Sequence, residues 1–260
     1  MNASIRFVDG SGYERYMGVW SQLVGEAFAD WLATASGLRW LDVGCGNGAF
    51  TEMIAARCAP ASVHGIDPFE EQLAYARTRP TLREAHFQRG DAMALPFPEN
   101  SFDVAVMPLV IFFVPEPAVG VAEMARVVAP GGAIAAYAWD MEGGGFPYEP
   151  LLALARESGI QFPTTPSPQA SRIDVMRELW NGAGLVDVQT REILVRRTFV
   201  DFEDYWRTAL CAPSLGAKFA AMSAEELEGI RARIRERLPV QADGRITCEA
   251  RANAVKGQVA

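Results

Sequence analysis

One stretch constrains this chain more than any other: Leu41-Asp42-Val43-Gly44-Cys45-Gly46-Asn47-Gly48-Ala49-Phe50-Thr51. The apolar run from Leu38 to Val43 reads as a buried strand. Three glycines follow at alternate positions, and a helical pattern then begins at Phe50, Met53 and Ile54. Glycines allow a tight turn and a close approach of backbone to ligand. The helix start adds unpaired N–H groups and a partial positive charge. The spacing is G-x-G-x-G, with alanine at position 49, and so departs from the G-x-G-x-x-G of dinucleotide sites.

Two further units repeat the theme of an apolar strand ending in an acid. Ser62-Val63-His64-Gly65-Ile66-Asp67 places Asp67 about 20 residues beyond the glycines, where a carboxylate can accept ribose hydroxyls. Phe87-Gln88-Arg89-Gly90-Asp91 places Asp91 at the end of the next strand. Two acids beside a glycine loop without lysine or arginine suit a neutral or cationic nucleoside better than a pyrophosphate. A nicotinamide-dependent oxidoreductase is the competing reading, and the loop lacks its features.

Taken in order, LDVGCGNG, GID (65–67), GDAMALPFPENSFDVAV (90–106) and VVAPGGAIA (127–135) resemble the successive motifs of class I S-adenosylmethionine-dependent methyltransferases of the small-molecule "type 11" kind. The resemblance covers roughly Trp40 to Trp139. It implies a Rossmann-like, doubly wound sheet of seven strands, parallel except for an antiparallel last strand, with a helical cap. It implies S-adenosylmethionine as cofactor. Gly44, Gly46 and Gly48 would approach the methionine and ribose portions, with Cys45 in the same loop. Asp42 would fix that loop and favour the cofactor's ammonium group. Asp67 would take the ribose hydroxyls, and Asp91 the adenine amino group, with Ala92 and Met93 beside the ring. Pro68 and Phe69 would pack on its other side. Met107, at the end of the fourth strand, and Tyr16, in the segment that folds over the cofactor in this family, complete the set. Where the family often carries an asparagine and a His-His pair, this chain has Pro108, Phe112 and Phe113. That departure suggests an apolar acceptor cavity. It also keeps open a non-catalytic protein that only binds the cofactor.

The residues also divide the chain of 260 into parts. Strands are expected over 38–43, 62–66, 85–89, 102–107 and 132–138, and helices over 50–58, 70–78 and 117–128. Such alternation implies a parallel sheet covered on both faces. The cofactor core is read as 38–140 within a single domain. Before it, residues 1–37 hold a lid and a helix whose stripe is Trp20, Leu23, Val24, Ala27, Phe28 and Trp31. Tyr13, Tyr16 and Trp20 are either lid or core aromatics. After it come substrate-side helices and a sixth strand (141–200), a helical insertion (201–244) and a last strand (245–260). Ser171 and Asp174 suggest a helix start, and Ser223-x-x-Glu226 is a capping box. Gly143, Gly144 and Gly145 form either a connector or a hinge. The run Arg231, Arg233, Arg235 and Arg237 reads as a solvated helix face.

Methyl transfer needs no metal, and none is expected. Asp140 and Tyr148 are the remaining candidates for a base or a substrate-orienting group. A formal charge of −8 argues against nucleic acid or an anionic membrane surface as partner. Four scattered cysteines and no apolar run near about 18 residues suggest a cytoplasmic protein. The resemblance implies a small-molecule acceptor, and a monomer or homodimer is expected.

Overall fold

A computed structural model describes residues 14–260. Seven strands form one sheet: β1 (Arg39–Val43), β2 (Ser62–Asp67), β3 (His86–Arg89), β4 (Phe102–Pro108), β5 (Val128–Trp139), β6 (Val186–Phe199) and β7 (Ile246–Gln258). Their order is β3-β2-β1-β4-β5-β7-β6. All pairs from β3 to β5 are parallel, and β7 runs antiparallel to both β5 and β6. The expected architecture is therefore present, with β7 the single reversed strand. The chain moves outward from β1 to β3 and returns to β4 on the other side of β1. The carboxyl ends of β1 and β4 thus flank the switch point, where sheets of this kind bind ligands.

Both faces are covered because the strands alternate two apolar sets. Trp40, Val104, Val106, Ala135 and Tyr137 face a layer with Trp20, Val24 and Phe28 of the helix Val19–Leu32. Leu41, Val43, Ala105, Met107, Ile134 and Ala136 face the opposite layer, with Val121 and Met124 of the helix Pro117–Val127. The predicted aromatic stripe on Val19–Leu32 is real. Of its members Trp20, Val24 and Phe28 are buried, while Leu23, Ala27 and Trp31 are partly buried on the shoulder; Leu32, outside the predicted stripe, is buried too.

Three expectations need correction. First, β5 begins at Val128, not at 132. Val128 already pairs with Phe102, and Val104 pairs next with Ala133, so Pro130-Gly131-Gly132 bulges within the strand. A side chain at Gly132 would meet the Asp103 carbonyl at 2.6 Å. Second, Ser171 does not cap the next helix. It ends the turn Pro168–Ser171 and donates to the Pro168 carbonyl at 2.6 Å, and the helix starts at Ile173. Third, the helical insertion expected over 201–244 consists of three separate helices: Phe202–Ala209, Pro213–Ala220 and Ala224–Arg237. Pro213 opens the second, and the Ser223/Glu226 capping box opens the third as read.

The register explains where this insertion sits. Trp139, the last residue of β5, pairs with Ala252, which pairs in turn with Ile193. Beyond that point β6 and β7 continue as a ribbon past the end of β5, from Leu194↔Arg251 to Phe199↔Ile246. Six residues of extended chain carry the ribbon roughly 20 Å past the carboxyl edge. The helices it bears fold back toward the helix Glu149–Glu157, where Glu157 pairs with Arg233 at 3.2 Å and Arg237 at 2.6 Å. Arg231 pairs with Glu203 at 2.5 Å and lies over the Trp206 ring. The arginine run is thus balanced by local carboxylates. No helix among the described residues is long and apolar enough to cross a membrane.

Candidate cofactor site

The turn after β1 is built by backbone geometry that only glycine adopts easily. Gly44, Gly46 and Gly48 have φ of +75°, +52° and +81°. The amides of Gly44 and Cys45 both donate to the Ile66 carbonyl, at 2.7 and 3.0 Å, which ties the turn to the end of β2. A Cβ at Gly44 would stand 2.4 Å from the Val110 side chain, whereas nothing lies within 4 Å of one at Gly46. The loop is therefore closed at Gly44 and open at Gly46. Gly44→Ala combines backbone strain with the Val110 clash. It is expected to destabilise the protein by about 2–4 kcal/mol. The check is a thermal melt of Gly44→Ala beside Gly46→Ala, which meets only the backbone strain and should melt higher.

Two carboxylates flank this loop. Asp42, in β1, is buried beneath the turn. Its Oδ2 accepts the Thr51 hydroxyl at 2.7 Å, while its Oδ1 is shut from solvent with no partner among the described residues. Burial pushes the Asp42 carboxyl up to about 7; the Thr51 hydroxyl opposes this and the Asp67 charge adds to it. Asp67, the last residue of β2, accepts the Gly46 amide on Oδ2 at 3.0 Å and the Phe69 amide on Oδ1 at 2.9 Å. Burial raises its pKa, and the two amides pull the other way. Each Asp67 oxygen keeps a further acceptor position.

Asp67 pairs with Arg89 across β2 and β3, so Asp91 falls two residues past the same edge. Asp91 is exposed, and its Oδ1 accepts the Met93 amide at 2.9 Å in a tight turn that also holds Ala92. Pro68 and Phe69 are exposed beside it, and the Pro68 carbonyl accepts Arg89 Nε at 3.1 Å. Cys45 is buried, its Sγ directed at Gly65, and burial holds the thiol well above its ordinary pKa.

Other expected residues are placed differently. The Met107 side chain belongs to the core layer beside the helix Pro117–Val127, and Val110 is the residue of this segment that touches the loop. Phe112 is buried in the same layer, and Phe113 is partly exposed. Tyr16 lies in a turn, Glu14–Gly18, ahead of the first helix, and stacks on Tyr148 with ring centroids 4.5 Å apart. The Tyr148 hydroxyl donates to the Tyr16 carbonyl at 2.9 Å, and burial raises its pKa. Tyr13 lies outside the described residues. Asp140 is held by Arg251, with Nη2 to Oδ2 at 2.5 Å, and its Oδ1 accepts the Gly143 amide. The triple glycine is consequently a tight wrap around this ion pair. A Cβ at Gly145 would stand 2.5 Å from the Arg251 carbonyl. Asp140 faces a cavity of about 330 Å³ shared with Glu142, Arg172, Asp174, Glu192 and Asn253, which no glycine-loop residue borders. His64 and His86 pair on neighbouring strands with tilted rings whose centroids are 4.8 Å apart.

The arrangement fits the cofactor that the sequence resemblance implies. An unpartnered buried oxygen on Asp42 suits a cationic amine, and the space at Gly46 beside Asp67 suits a ribose. Among the described residues no cluster of three His, Cys, Asp or Glu stands ready for a metal ion.

Comparison with known proteins agrees. Residues 41–136 match the family model described as a methyltransferase domain. A fatty-acid O-methyltransferase of Mycolicibacterium smegmatis is 35% identical over 100 residues, covering 38% of this chain and 36% of that protein. A demethylmenaquinone methyltransferase of Staphylococcus aureus is 34% identical over 105 residues, covering 40% and 44%. The chain thus spans less than half the length of these curated relatives. Among solved structures, a phosphoethanolamine N-methyltransferase of Haemonchus contortus in complex with S-adenosyl-L-methionine superimposes with a TM-score of 0.59 at 18% identity. That match covers 98% of this chain and 60% of the other, and it extends the methyltransferase fold beyond the matched segment.

Four residues that frame the glycine loop escaped the sequence reading: Glu14, Thr51, Arg79 and Val110. Thr51 stands nine residues after Asp42, and a hydroxyl on the first turn facing a strand acid is a detectable pairing. The other three meet the loop only through tertiary contacts.

Proposed function

We propose that the protein is an S-adenosylmethionine-dependent methyltransferase acting on a small, apolar or aromatic acceptor. The observation that carries this reading is the pair of buried carboxylates on either side of one glycine loop. Asp42 offers an unpartnered oxygen, and Asp67 is braced by the Gly46 amide. The cofactor, when bound, supplies a methyl group already activated on a sulfonium. Asp42 neutralises an ammonium beneath the loop. Asp67 accepts hydroxyls of a ribose at the end of β2, with Asp91 and the turn through Ala92 and Met93 next in line for an adenine. What remains for the chain is to align a nucleophile and keep water out, and such placement supplies up to about 7–11 kcal/mol in favourable cases.

An apolar acceptor is supported by the names of the relatives, one acting on a fatty acid and one on a demethylmenaquinone. It is also supported by the aromatic set of Tyr16, Trp20, Phe146 and Tyr148 beside the N-terminal turn. We assign Asp140 and Tyr148 to positioning, not to proton abstraction. Asp140 is neutralised by Arg251, and Tyr148 spends its proton on the Tyr16 carbonyl. The helices within 201–244 serve as a cap over this side. A cytoplasmic setting accords with four free cysteines and the acidic charge.

Calorimetric titration with S-adenosylmethionine, S-adenosylhomocysteine and NADH tests the reading. Micromolar binding of the two sulfur compounds and none of NADH is expected. Silence from both sulfur compounds would remove the proposal. Binding without methyl transfer to any apolar acid, phenol or quinol would leave a cofactor-binding protein.

A further inference from the structure

Arg79 sits at an unexpected junction. It follows the helix Glu70–Ala76 and lies in the turn that leads into Pro80–Leu82. Its side chain is largely buried, 16% exposed, and its guanidinium donates in three directions. Nε reaches the Asn47 carbonyl at 2.7 Å, Nη1 reaches Glu52 Oε2 at 2.6 Å, and Nη2 reaches Glu14 Oε1 at 2.7 Å. These partners belong to the middle of the glycine loop, the helix that follows it, and the N-terminal turn. Asn47 closes the ring, because its Nδ2 also donates to Glu14 Oε1, at 3.0 Å, and its Oδ1 accepts the Ala49 amide at 3.2 Å. One carboxylate of the N-terminal turn is thus bound twice, once by the loop through Asn47 and once by Arg79.

We propose that Arg79 is a positioning residue for the cofactor: together with Glu14 it latches the N-terminal turn onto the glycine loop and sets the loop's peptide between Gly46 and Gly48. The inference rests on the reading that this loop holds S-adenosylmethionine. Two consequences of the geometry support it. The Asn47 carbonyl belongs to the peptide joining Asn47 to Gly48, so Arg79 Nε helps hold Gly48 at its positive φ and Gly46 facing open space. Glu14 lies two residues before Tyr16, whose carbonyl is bonded from the other side by Tyr148 and by Arg197 at 3.4 Å. The turn is therefore held at Glu14 and at Tyr16, and the Glu14 contacts reach the loop. A forked guanidinium is needed because three acceptors lie in three directions, which a lysine ammonium cannot meet with the same geometry. Glu52 is the second anion facing Arg79 and keeps the cluster acidic by one charge.

The test compares Arg79→Lys, Arg79→Ala, Glu14→Gln and the double variant Glu14→Gln/Arg79→Lys with the unaltered protein. Stopped-flow release of S-adenosylhomocysteine gives the first readout. Hydrogen exchange of the amides of residues 14–18 in ligand-free protein gives the second. Release is expected to quicken about tenfold in Arg79→Ala and Arg79→Lys and about threefold in Glu14→Gln, with the double variant no worse than Arg79→Lys. Exchange over 14–18 should rise in every variant while the melting temperature of Glu14→Gln stays within about 2 °C, because that carboxylate is more than a third exposed. Unaltered release rates in variants of a protein that binds S-adenosylhomocysteine would overturn the proposal. So would unaltered exchange over 14–18, and that readout stands even if the unaltered protein binds no sulfur ligand, an outcome that overturns the cofactor reading instead.

Discussion

Replacing Asp67 with alanine is expected to weaken S-adenosylhomocysteine binding about 100-fold, or roughly 3 kcal/mol. That is the size of two hydroxyl bonds to a buried anion lost together. The location of Asp67 makes a smaller effect hard to reconcile with the proposed role. It stands 7% exposed at the last position of β2, so no neighbouring water-exposed group can substitute for it. Its two oxygens already brace the Gly46 and Phe69 amides. The alanine variant therefore loses the ribose acceptor and loosens the loop in one step. Calorimetry gives the first part, and hydrogen exchange at Gly46 gives the second. An affinity within threefold of the unaltered protein would show that the ribose lies elsewhere. A lost affinity with exchange at Gly46 unchanged would place the whole effect on direct contact with the ligand.

The parts of this protein that were legible in its sequence are those set by short-range rules. The strand-turn-helix at Leu41–Thr51 was readable because three positive-φ positions demand glycine at fixed spacing. The stripe from Trp20 to Trp31 was readable because helical period and burial coincide. Asp67 was readable because it ends an apolar strand. What escaped depends on residues far apart in sequence. Arg79 and Glu14 are 65 positions apart, Asp140 and Arg251 are 111, and Tyr148 and Tyr16 are 132. Each member alone looks like an ordinary surface charge or core ring. Met107 is a different case. It shares a face with Ala105, which packs under the helix Pro117–Val127, and the alternation of a strand sends its side chain to that core. Nearness in sequence to the crevice was the wrong guide there, and the period of two was the right one.

Asp42 leads to the second large effect, a binding curve that bends near neutrality. Its carboxyl is pushed up to about 7, first by burial, so between pH 4 and 7 the native state holds a proton that the unfolded chain, with an ordinary value of 3.8, has released. The contribution to stability is therefore fully present below about 4 and is lost as pH rises through about 7. Ligand binding has the opposite slope. An ammonium beneath the loop needs the carboxylate, so binding expels the proton. Affinity is expected to fall about tenfold per unit below pH 7 and to level off above it, until the ligand's own amine titrates near 8. The ligand-induced rise in melting temperature should accordingly grow from pH 5.5 to 7.5 while the ligand-free protein becomes less stable over the same range. Asp67, whose pKa burial also raises, faces Asp42 and deepens the effect while both are charged. Asp42→Asn separates the contributions. It keeps an acceptor for the Thr51 hydroxyl, removes the titration, and should melt higher than the unaltered ligand-free protein at pH 8. Its affinity should be lower at pH 8 and flat between pH 5.5 and 7.5. Calorimetry across that range decides the matter. A pH-independent affinity in the unaltered protein would mean that the ammonium sits away from Asp42, and the carboxylate beneath the loop would then serve Thr51 and the turn alone.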